Sequence, residues 1–151
     1  MPSLNVNTLT VGDKLPELRV TMTAQKIVQA AAATRDWQPI HHDHEAAIKA
    51  GLRGIILNAP SQAGWISRYI TDWAGAAARI KKLSFKMLDS LCPGDELLIT
   101  GSVAAVEDRT EQGAWVTVTV LLAVGEKKKT RAQVLVVVPN GQLANLWTLA
   151  W

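Results

Sequence analysis

A single cysteine, Cys92, is the whole thiol inventory of the chain. It can close no intrachain disulfide and supplies at most one thiolate to a metal, so a disulfide scaffold and a cysteine-rich zinc site are both excluded. A reduced, cytoplasmic setting is expected. No apolar run reaches the ~18 residues that suggest a membrane span, and the opening MPSLNVNTLTVGDKL lacks the basic start and apolar centre of a secretory signal. No membrane partner is expected. Charge of one sign is also scarce: 16 Lys and Arg against 13 Asp and Glu leave +3. Much of that excess sits in two short clusters, KKLSFK (81–86) and EKKKTR (126–131), separated by apolar sequence. Such clusters are too thin to indicate nucleic acid. Internal repeats, low-complexity tracts and Pro/Gly/Ser-rich linkers are missing as well, so residues 1–151 are read as one domain.

What is present is a globular composition, 48% apolar and 19% charged, in a chain long enough to bury a sizeable core. LPELRVTMT (15–23) alternates as a strand and ends at Thr23, a good N-cap for the alanine-rich helix AQKIVQAAAAT. DHEAAIKAG (43–51) predicts a short helix with Asp43 as its cap and Gly51 as its stop. NAPSQAGWISRYITDWAG (58–75) predicts the principal helix, with Asn58 as cap and Pro60 in the first turn, where a missing N–H costs nothing. From Arg79 the pattern changes to four β-branched, alternating runs: RIKKLSFKML, DELLITGSVAAVE, AWVTVTVLLAV and TRAQVLVVVP. Turns are expected at Pro93-Gly94-Asp95, at Gln112-Gly113 and over 126–129. One strand, a long helix and an antiparallel run of strands predict an α+β hotdog fold, a curved antiparallel sheet wrapped around a central helix. The sheet edge and apolar margin left by one such unit predict a dimer.

All three histidines fall in RDWQPIHHDHE (35–45). His41, His42, Asp43, His44 and Glu45 are all possible metal ligands, but adjacent side chains diverge, the His-x-x-x-His spacing of helical zinc sites is missing and no remote ligand matches. No metal is expected. Asp43 reads as a helix cap, with His42, His44 and Glu45 in a solvated first turn. Asp36 and His41 differ, because they flank Pro39, which removes a donor and pushes Gln38 out of the helical region. Such a turn can hold an acid and an imidazole in fixed relation, although a spacing of five taken alone is more often coincidence than a site.

ATRDWQPIHHD resembles the hydratase motif S/T-G-D-x-N-P-[apolar]-H-x-D of the MaoC-like, (R)-specific enoyl-CoA hydratases, with Thr34, Asp36, Pro39, Ile40, His41 and Asp43 matching in place. GIILNAPSQAGW lies where that family begins its central helix, and LSFKMLDSLCPGDELLITGSV is similar to its strand, Pro-Gly-Asp turn and following strand. RDWQPIHHD with RYITDWAG is most similar to the actinobacterial acyl dehydratases associated with steroid side-chain degradation, some of which work as half of a two-protein complex. Two positions depart from the motif: Arg35 stands where the family has glycine, and Gln38 where it has asparagine.

The resemblance implies reversible hydration of a trans-2-enoyl-CoA to a 3-hydroxyacyl-CoA without metal or redox cofactor. Asp36 and His41 would be the acid/base pair, and a backbone N–H at the start of the central helix would face the thioester oxygen. Counting without gaps gives Ala59; a shift of one residue gives Asn58. Gln38, Asn58 and Trp73 are the expected substrate contacts. Trp65, Ile66, Tyr69, Ile70 and Trp73 recur at helical spacing and read as a core face rather than an acyl-chain surface, and Lys81, Lys82 and 127–129 read as solvated charge rather than CoA-phosphate contacts. A hotdog thioesterase and a hydratase subunit inactive without a related partner are the alternatives. The expected partners are an acyl-CoA and either a second copy or another hotdog protein, and the segment 71–80 is expected to fold over the helix and set the pocket depth.

Overall fold

A computed structural model describes residues 4, 6–107, 109–110 and 113–140 of the chain. Strand β1 (Leu18–Thr21) leads into α1 (Ala24–Ala33), a 3-10 turn at Pro39–His41, the short α2 (His44–Lys49) and the long α3 (Ala59–Ala74). Four strands follow: β2 (Arg79–Met87), β3 (Glu96–Glu107), β4 (Gly113–Val124) and β5 (Lys127–Pro139). They form one antiparallel sheet in the order β1-β3-β4-β5-β2. This is the α+β hotdog arrangement expected from the pattern, with α3 packed on the inner face of the sheet.

Period-two alternation explains how that face is built. Val116, Val118, Val120 and Leu122 of β4 and Val134, Val136 and Val138 of β5 are all fully buried and join Ile66, Tyr69 and Ile70 of α3 in one core. Each contributes about 1.5 kcal/mol or more relative to leaving it in water. Trp65 and Trp73 pack partly buried at the margin of that core. Along β2, the register slips between Ile80 and Lys82, and Lys81 lies over the Trp115 ring, 4.8 Å from its centroid.

The helix boundaries follow their caps. Thr23, Asp43 and Asn58 each accept from a first-turn N–H, and α3 stops at Gly75, whose φ of 90° no β-carbon favours. Two expectations are corrected. The segment 71–80 does not fold over the helix: nothing breaks α3 before Gly75, so only four residues, 75–78, link it to β2. The turn expected over 126–129 is a tight one at Gly125 and Glu126, because Gly125 takes the positive φ of 56° that lets β5 begin at Lys127. Of the Gln112-Gly113 turn, Gly113 opens β4 and Gln112 lies outside the described residues.

The candidate acid and imidazole site

The site starts with how α1 ends. The Asp36 N–H donates to Ala31 O at 2.9 Å and the Arg35 N–H to Ala32 O at 3.1 Å, with Arg35 at φ 54°. This is the Schellman closure, whose left-handed residue is ordinarily glycine. It explains the motif's glycine in backbone terms: the position needs a positive φ, and Arg35, its side chain exposed, accepts the strain. The closure swings the chain back so that Asp36 turns toward α3.

Pro39 then does what its ring dictates. Gln38 is extended at ψ 126°, Pro39 starts a 3-10 turn, and His41, its last residue, is 6% exposed. His41 Nδ1 lies 2.7 Å from Ile56 O. A carbonyl only accepts, so Nδ1 carries the proton and donates, and Nε2 faces Asp36. The Nε2 to Asp36 Oδ2 distance is 3.3 Å, and the Asp36 side chain remains one-quarter exposed.

Asn58, 3% exposed, organises the other side. Its Oδ1 accepts from the Ser61 N–H at 3.2 Å, capping α3, while Nδ2 donates to Asp36 Oδ2 at 3.0 Å and Thr34 Oγ1 at 2.7 Å. Thr34 donates onward to Ala30 O at 2.8 Å. The Asn58 amide holds the Asp36 carboxyl below its ordinary range; partial burial opposes this, and the His41 imidazole and the Gln38 N–H assist it.

The structure therefore brings Asp36, His41 and Asn58 together. Asn58 spends its amide on Asp36, Thr34 and the helix cap. Gln38 is exposed, and its backbone rather than its amide bears on Asp36. Ala59 is the first residue of α3; Pro60 has no N–H and Ser61 is capped, which leaves the Ala59 N–H as the first-turn donor at the positive helix end. Trp73 is fifteen positions beyond Asn58 on the same helix, roughly 22 Å along its axis at 1.5 Å per residue.

Among the described residues, no three His, Cys, Asp or Glu side chains gather as metal ligands. Lys129 is neither a loop charge nor solvated: it is 4% exposed and donates to Asp89 Oδ2 at 2.5 Å and Ser90 O at 2.9 Å. The Ile56 carbonyl, Gln62 and the Arg53–Asp95 pair escaped the sequence reading. Arg53 Nη2 reaches both Asp95 oxygens, at 2.6 and 2.8 Å, and ties the loop ahead of Ile56 to the turn before β3. The Pro-Gly-Asp turn was the only sequence signal of that tie.

The family model described as MaoC like domain matches residues 7–132. The β subunit of 3-oxo-4,17-pregnadiene-20-carboxyl-CoA hydratase from Mycobacterium tuberculosis is 39% identical over 98 residues, 65% of this chain and 76% of that protein. The crystal structure of the ChsH1-ChsH2 complex from M. tuberculosis superposes with a TM-score of 0.80 at 33% identity, over 85% of this chain and 98% of that one. An (R)-hydratase from A. caviae involved in PHA biosynthesis shares the fold, with a TM-score of 0.78 at 21% identity over 87% of this chain and 98% of its own.

Proposed function

We propose, given that this chain belongs to the MaoC-like dehydratase family and is a hydro-lyase, that it reversibly hydrates a trans-2-enoyl-CoA to a 3-hydroxyacyl-CoA through Asp36 and His41. The observation that carries this reading is the 3.3 Å approach of His41 Nε2 to Asp36 Oδ2, with Nδ1 already committed to Ile56 O. A water held between the carboxylate and Nε2 donates to both. As its oxygen adds to Cβ, one proton passes to the pair, and the pair returns one to Cα, so the site ends as it began. Negative charge gathers meanwhile on the thioester oxygen, and the Ala59 N–H at the head of α3 is the donor for it. Asn58 keeps Asp36 ionised and aimed.

Asp36→Asn and His41→Ala should each lower hydration turnover by about 10²-fold or more with the fold intact. Near-normal turnover by either on a verified enoyl-CoA would remove the paired mechanism. Prolonged chelation should leave turnover unchanged, since the acid/base pair needs no metal.

A second reading concerns size and partnership: the acyl group is bulky, of the steroid side-chain kind, and a second hotdog protein shares the work. Its support is the β-subunit relative and the similarity to a two-protein complex. Among the described residues, the nine-residue strand β2 ends the sheet with β5 as its strand neighbour, where a further strand could pair. The small side chains after Trp73 form the short link to β2 and lend no support to it. Comparing kcat/KM for crotonyl-CoA, a medium-chain enoyl-CoA and a steroid-side-chain enoyl-CoA, with and without a hotdog protein encoded beside it, tests this reading. Best activity on crotonyl-CoA by the chain alone would defeat it and leave the acid/base chemistry standing.

A further inference from the structure

Gln62 is 1% exposed in the second turn of α3, where a leucine of similar size would bury more apolar surface. An amide is expensive to bury unless its hydrogen bonds are made, so its partners indicate what it does. Gln62 Nε2 donates to Leu57 O at 3.4 Å and lies 3.3 Å from Met87 Sδ on β2. Its Oε1 accepts from Thr130 Oγ1 at 2.5 Å, and Thr130 is itself fully buried on β5. The side chain thus runs from the sheet to one backbone carbonyl in the loop before α3.

That carbonyl lies between the two groups on which the acid/base pair hangs. Ile56, one residue before it, offers the carbonyl that accepts from His41 Nδ1. Asn58, one residue after it, donates to Asp36. Leu57 is held from both sides, its N–H by Leu91 O at 2.9 Å and its carbonyl by Gln62. Because a peptide unit turns as a plane, fixing the Leu57 carbonyl also fixes the Asn58 nitrogen and the direction in which Asn58 leaves the loop. The Ile56 carbonyl lies in the peptide unit whose N–H donates to Leu91 O, whereas without Gln62 the unit that leads into Asn58 is set only by the groups Asn58 holds.

We infer that Gln62 is a positioning residue for the Asp36 and His41 pair, bracing the 56–58 segment against β5 so that both members keep their mutual distance. This rests on the reading of Asp36 and His41 as the reacting groups, yet it makes a claim about geometry that can be read without turnover. Gln62 touches neither, and it acts through Leu57.

Gln62→Met, which fills the volume but cannot donate, isolates the effect. In the folded variant, the Asp36 carboxyl followed by carbon NMR should titrate at higher pH than in the native protein, because its bond from Asn58 is loosened. Hydration of an enoyl-CoA should fall by about tenfold or more in kcat with KM within about twofold, since the loss concerns alignment and not binding. Thr130→Val removes the outer anchor and should move both readouts the same way by less; it also serves if Gln62→Met does not fold. Native-like titration of Asp36 in either folded variant would overturn the inference. If the native protein hydrates no enoyl-CoA, the proposed reaction falls, while the NMR titration still decides the role of Gln62.

Discussion

Asn58 Nδ2 donates to Asp36 Oδ2 over 3.0 Å from the same amide whose Oδ1 caps α3, so the helix start and the carboxylate are held by one side chain.

Asn58→Asp keeps the cap acceptor but replaces the donor with a like charge. The Asp36 carboxyl, now held below its ordinary value chiefly by Asn58, should rise. A depressed carboxylate stabilises the fold above its unfolded pKa, near 3.8, and that contribution is lost as pH falls through the lower folded value. In the variant this acid-side gain shrinks, and the acidic limb of kcat/KM against pH moves to higher pH. Asn58→Ser, which caps without the charge, should move it less. An unmoved limb in Asn58→Asp would show that Asp36 ionisation does not govern the rate.

Arg35→Gly should stabilise the protein. The left-handed φ of 54° costs a side-chain-bearing residue about 1–2 kcal/mol, and the extra freedom of glycine in the unfolded chain returns part of this. A net gain of about 0.5–1 kcal/mol should appear as a Tm higher by about 1–4 °C, with turnover unchanged. A lower Tm would mean that the Arg35 side chain contributes more than its backbone costs.

Gly101→Ala should do the reverse. A β-carbon there would stand 3.0 Å from Tyr69 Cε1, 3.2 Å from its hydroxyl oxygen and 3.3 Å from Leu15 Cδ2, all in the core. Overpacking of this kind costs about 1–2 kcal/mol. In a Tyr69→Leu background the same substitution should cost at least about 0.5 kcal/mol less, and denaturant titration of the four proteins measures that coupling. Equal costs in both backgrounds would place the clash elsewhere.

How much of this was legible depends on the range over which each feature is set. Asn58, Pro60 and Gly75 mark α3 through local backbone chemistry, and the alternation in β4 and β5 reports burial directly, so both could be read from neighbouring residues. Asp36 and His41 were legible as a motif, and Pro39 explained their turn. What could not be read joins residues far apart. Asn58 holds an acid 22 positions earlier, His41 finds a carbonyl 15 positions later, and Lys129, which looks like one charge in a basic cluster, is buried against Asp89.

The brace from Thr130 to Gln62 spans 68 positions of sequence. On the ribosome, at about 5–20 residues per second, every residue that shapes the turn around Asp36 and His41 is made roughly 3–14 s before Thr130 exists. The nascent chain can cap its helices and close the α1 turn during that interval, yet it has no strand on which to anchor Gln62. The groups of the site are thus assembled early and aligned late, and the last strand of the sheet to be synthesised is also the one that brings the chain to working order.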